Sequence, residues 1–99
     1  MAATPEKLVK NKIKVILQDG GVYYAMPIGS GYGNAGVPDF LACVNGRFLA
    51  VEAKAGKGKT TALQDAHLEK IKTAGGVSMV VNELNLDQLK ETIQWMNKK

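Results

Sequence analysis

Residues 39–54 read Asp-Phe-Leu-Ala-Cys-Val-Asn-Gly-Arg-Phe-Leu-Ala-Val-Glu-Ala-Lys. Two apolar runs, Asp39 to Val44 and Arg47 to Lys54, flank Asn45-Gly46, the pair that most strongly marks a two-residue type I′ hairpin. Such a turn fixes the register: Val44 pairs with Arg47, and each step outward moves one residue back on the first strand and one forward on the second. Counted this way, Asp39 falls opposite Glu52. Directly opposed side chains share a face with Cβ atoms about 4.5–5.5 Å apart, so the two like charges destabilise the pair unless something offsets them. Strand alternation puts Lys54 on that face too, together with Phe48 and Ala50, while Leu49 and Val51 form the opposite, apolar face.

A solvated ion cluster would make little of this arrangement. Two acids among apolar strand residues, however, are expensive to bury unless a cation binds them. A divalent ion satisfies that need, leaves positions open for water and bridges to a phosphate. Asp39, Glu52 and Lys54 are therefore the candidate catalytic set.

Working outward, Thr4-Pro5-Glu6 opens a helix that runs to about Gln18 and stops at Asp19-Gly20-Gly21. Val9, Ile13, Ile16 and Leu17 form its inward face, Lys7, Lys10 and Lys14 a stripe beside it, and Glu6 the border. Val22 to Ile28 reads as a strand with an irregular end at Pro27, and residues 29–36 as a glycine-rich loop. Beyond the hairpin, Lys57-Gly58-Lys59 is a basic turn. Thr61 to Ala74 reads as a helix with Leu68 and Ile71 inward, and Val77 to Val81 as a short buried strand. Asn85 is a candidate cap for a last helix carrying Leu86, Leu89, Ile93 and Met96 at helical spacing, with Trp95 beside them. The order is αβββαβα, an α/β fold in one domain spanning residues 1–99.

Composition narrows the partners. Of 13 basic residues only Arg47 is Arg, and the net charge of +4 with a pI near 9.3 favours a polyanion. The single cysteine, Cys43, excludes an internal disulfide and reads as a small core residue. No apolar run is long enough to span a membrane and no leader pattern is visible, so the chain reads as soluble and cytoplasmic. Lys57-Gly58-Lys59-Thr60 resembles a P-loop ending, but the position for its first glycine is Ala53, and Gly31-x-Gly33-x-x-Gly36 leads into a strand rather than a helix. No nucleotide cofactor is expected. His67 has no second histidine with which to share a metal.

Gly36-Val37-Pro38-Asp39 followed by Val51-Glu52-Ala53-Lys54 resembles the signature of the PD-(D/E)XK nucleases, and the spacing, the preceding glycine and the small size resemble the VRR-NUC branch in its stand-alone phage or bacterial form. The resemblance implies a restriction-endonuclease-like αβββαβ core, a mixed sheet flanked by helices, with the C-terminal helix added. It implies a Mg²⁺- or Mn²⁺-dependent endonuclease that recognises DNA structure, a four-way junction or flap, rather than sequence. The alternative is a basic nucleic-acid-binding module that keeps the fold without the reaction. Asp39, Glu52 and the backbone carbonyl of Ala53 would hold the metal, and Lys54 would act on the attacking water and the phosphate. Glu6 resembles the acid found on the first helix of many members, and Gln64 a polar site position on the later helix. Glu6 has a rival role at the positive end of its helix dipole, and Gln64 as half of a capping box with Thr61. Lys57, Lys59, Lys7, Lys10 and Lys14 are expected on the DNA phosphates and Tyr32 on a base or sugar. A homodimer is expected from the small core, from Trp95 beside an already apolar helix face, and from the resemblance.

Overall fold

The computed structural model describes residues 4–28 and 35–98. The elements follow the expected order: α1 (Pro5–Asp19), β1 (Tyr23–Ala25), β2 (Phe40–Val44), β3 (Arg47–Ala53), α2 (Ala62–Thr73), β4 (Val77–Val81) and α3 (Leu86–Asn97). They form one four-stranded sheet in the order β1-β2-β3-β4. The first two pairings are antiparallel, and β3 pairs with β4 in parallel through the α2 crossover.

The hairpin keeps the register set by its turn, from Val44↔Arg47 to Phe40↔Val51. Asn45 and Gly46 both have positive φ, 53° and 79°, as a type I′ turn demands. One face of the sheet carries Phe40, Ala42, Val44, Leu49, Val51 and Ala53, which pack with Val9, Ile13 and Leu17 of α1 and Leu89, Ile93 and Met96 of α3. Thr4 caps α1 by accepting the Lys7 N–H. The other face is covered by α2 on the β4 side, where buried Ser78 donates its hydroxyl to the Leu68 carbonyl.

Several expectations need correction. The strand anticipated over residues 22–28 shrinks to three residues, because the Val22 N–H closes the end of α1 by donating to the Leu17 carbonyl and Pro27 has no N–H to give. Strand β4 is an edge strand and only half buried, with Ser78 and Val81 enclosed. Asn85 stands at the N-cap position of α3, yet its side chain turns back to accept the Asn82 N–H and donate to the Val80 carbonyl. Cys43 is exposed, and α2, the helix on that side, packs chiefly against β4. The apolar face of α3 is filled by the chain's own core, and Trp95 is stacked under the Arg47 guanidinium, 4.9 Å from the ring centre. Trp95 nonetheless keeps 46% of its surface exposed.

Candidate active site

The site forms where β3 leaves the hairpin and β2 enters it. Strand β3 is central, enclosed from Leu49 to Ala53 on both faces, so Glu52 is carried inward with only 3% of its surface exposed. Asp39 sits one residue before β2. There it is placed by the turn at Gly36, whose φ of 88° suits glycine and whose missing side chain lets the loop lie on α2: a Cβ would meet Leu63 at 2.7 Å and His67 at 3.0 Å.

The Asp39 carboxylate turns toward β3, where its Oδ2 accepts the Ala53 N–H at 2.9 Å. On a strand, N–H and C=O of one residue leave by the same edge, so the Ala53 carbonyl is directed to the Asp39 side as well. Lys54 is anchored through its N–H to the Val81 carbonyl, and its ammonium lies 3.4 Å from Glu52 Oε2. Lys10 of α1 reaches round the other side, 3.5 Å from Asp39 Oδ1 and 3.5 Å from Glu6.

One atom has no partner. Glu52 Oε1 is buried without a hydrogen bond, which is costly for a carboxylate. Burial accordingly pushes the Glu52 carboxyl up from 4.5 to about 7, with the neighbouring Asp39 charge adding to the rise and Lys54 opposing it. Because the folded value lies above the unfolded one, the fold holds this proton more tightly than the open chain does. The stability so gained by the metal-free protein is full below about pH 4.5 and is lost as pH rises through about 7. Thermal melts in a chelator should thus fall from pH 6 to pH 8, and the Glu52→Gln variant should lose most of that fall. An identical slope in the variant would assign the pH dependence elsewhere.

The remaining expected residues are distributed as follows. Gln64 serves the capping box: its Oε1 accepts the Thr61 N–H and its own N–H donates to the Thr61 hydroxyl. Glu6 approaches the site through Lys10. Lys57 and Lys59 are exposed in the turn after β3, Lys7 is exposed on α1 and Lys14 is half-buried there. Tyr32 lies outside the described residues. Sequence reasoning missed the link from Lys10 to Asp39. It also missed Glu83, whose Oε1 accepts the Gly56 N–H at 2.8 Å and ties down the turn that follows Lys54. The Glu6–Lys10 spacing of four was a readable signal for half of the first; contacts between distant segments gave none.

Among the described residues no three His, Cys, Asp or Glu side chains converge. A metal here would rely on two carboxylates, a backbone carbonyl and water, a donor set of hard oxygens suited to Mg²⁺ or Mn²⁺. The bare Oε1 of Glu52 fits that role.

No protein-family model and no curated protein matches the sequence. Among solved structures the chain is similar to Hjc of Archaeoglobus fulgidus, a Holliday junction resolvase from an archaeal hyperthermophile, with a TM-score of 0.60 and 21% identity. The similarity covers 77% of this chain and 66% of that one, so it spans about two thirds of the resolvase's length. With the mixed sheet and flanking helices described above, the likeness establishes that this chain has a restriction-endonuclease-like α/β fold.

Proposed function

We propose that the protein is a divalent-metal-dependent endonuclease acting on branched DNA. The observation that carries the reading is the unpartnered, buried Oε1 of Glu52 beside Asp39, at the end of a strand where a binding module would gain nothing from it. Asp39, Glu52 and the Ala53 carbonyl would hold the ion, Mg²⁺ or Mn²⁺. Such an ion would acidify water and offset the charge that grows on the phosphate. Lys54 keeps its proton at Nζ and directs it to the attacking water or a phosphate oxygen, its position set by Glu52 Oε2 and by the Val81 bond. Water oxygen would bond to phosphorus as the bond to the leaving oxygen breaks in line with it, the water's proton passing to solvent and the leaving oxygen taking one up from solvent.

The spacing of Gly36-Val37-Pro38-Asp39 and Val51-Glu52-Ala53-Lys54 supports a place in the VRR-NUC branch of the PD-(D/E)XK nucleases. Branched DNA is supported by the fold shared with a junction resolvase and by the lysine-rich surface, which suits phosphates better than base edges. Among the described residues no helix is long and apolar enough to cross a membrane. A homodimer would present two centres to the two strands of a junction. Its support is the small core and the outer face of β1–β3, where Tyr23 and Phe48 are exposed at 81% and 45%.

A panel of end-labelled linear, flapped and four-way DNA, cut at a series of protein concentrations, tests this substrate class. The branched forms should be cut and the linear duplex spared; equal rates on all three would refute structure selectivity. Lys57 and Lys59 extend from the site in an exposed turn. Replacing both with Ala should lower the slope of log affinity against log salt by roughly two phosphate contacts' worth. An unchanged slope would put them outside the DNA path.

A further inference from the structure

Each carboxylate at the end of the hairpin has its own lysine. Lys54 pairs with Glu52, while Lys10 pairs with Asp39 and at the same time with Glu6. The two lysines sit differently. Lys54 continues β3 and has a side chain only 13% exposed, whereas Lys10 arrives from α1 with 29% exposure, able to exchange its partners for water. Lys10 also occupies both oxygen donors that a cation would seek on this side: Oδ1 of Asp39, whose Oδ2 is committed to the Ala53 N–H, and the Glu6 carboxylate.

We propose that Lys10 is an internal counter-ion that competes with the divalent cation for Asp39 and holds Glu6 out of the coordination set, so that it sets metal affinity. This rests on the metal-centred reading above. A tethered ammonium is the monovalent stand-in that lets Asp39 lie beside Glu52 in the absence of metal, and it must give way when the metal enters. Lys10 is on this account a positioning residue, and its removal has a sign opposite to that of a ligand. Losing a nearby positive charge and uncovering Asp39 Oδ1 strengthens cation binding, where losing a ligand weakens it. Glu6 should matter more to the metal once Lys10 is gone.

Calorimetric titration of Mn²⁺ into the whole chain, without DNA, reads this directly. Lys10→Met and Lys10→Gln, both good helix formers at this position, are expected to tighten Kd about tenfold. Lys10→Arg, which keeps the charge, should stay within about twofold of the parent protein. Glu6→Gln should loosen Kd more in the Lys10→Met background than in the parent. Thermal melts show that the variants are folded. If the parent binds Mn²⁺, Asp39→Asn abolishes that binding, and both neutral Lys10 variants bind no more tightly, the counter-ion role is overturned and the metal site stands. If no variant binds saturably, or Asp39→Asn has no effect on binding, the metal reading falls and the inference with it.

Discussion

On the proposed reading Asp39→Asn and Glu52→Gln should each lower metal-dependent cleavage by about 10³-fold or more, since each removes a charge that would fix the ion and stabilise the transition state. The fold should survive both changes. Asn at position 39 keeps an oxygen able to accept the Ala53 N–H, a bond that ties Asp39 to β3. Gln at position 52 keeps the volume of Glu52 while removing a buried charge, so the metal-free variant should melt at a higher temperature than the parent at pH 8, where the parent's Glu52 is ionised. A loss of activity paired with a gain in apo stability separates a functional carboxylate from a structural one. Wild-type cleavage rates in either variant, measured with thermal melts alongside, would remove that residue from the site.

Lys54→Ala carries the second large effect: turnover should fall by about 10²–10³-fold while metal affinity is not weakened. An ammonium has donors and no lone pair, so it cannot be a ligand. Its partner Glu52 Oε2 is left with the metal as the available cation, which favours binding. Single-turnover cleavage together with Mn²⁺ calorimetry distinguishes this pattern from that of Asp39→Asn, in which both quantities fall. Retained turnover would leave Lys54 as a structural partner of Glu52.

Much of the site was legible because the Asn45-Gly46 turn converts sequence distance into register. From that turn alone Asp39 and Glu52 are brought to the same end of the hairpin, and the observed ladder preserves every pairing up to Phe40↔Val51. Helical spacing likewise identified Val9, Ile13 and Leu17, and Leu89, Ile93 and Met96, as the residues that cover the sheet. What escaped depends on segments far apart in the chain. The length of β1 is decided by how its ends are used, by the close of α1 and by Pro27, rather than by its β-branched and aromatic content. Cys43 is exposed because α2 packs chiefly against β4, and no local pattern reveals which half of a sheet face a crossover helix will cover.

Charge was the hardest to place. Lys10 belongs by its spacing to a basic stripe on α1, but the packing of α1 against the sheet carries its ammonium to Asp39. Gln64 had two readings of similar standing, and the capping box with Thr61 is the one its side-chain oxygen takes. The full burial of β3 required knowing that a parallel neighbour, β4, closes its second edge. The hairpin by itself placed Glu52 on a strand face beside Phe48 and Ala50, which does not reveal how strongly Glu52 is deprived of water.

The most direct measurement is single-turnover cleavage of a labelled four-way junction by the purified chain, in a chelator and then after Mg²⁺ or Mn²⁺ is restored, with Glu52→Gln run in parallel. A divalent-metal nuclease centred on Asp39 and Glu52 leaves the junction whole in the chelator and cuts it when the ion returns, whereas the variant leaves it whole under both conditions. Cutting that persists in the chelator, equal cutting by Glu52→Gln, or an intact junction under every condition would contradict it.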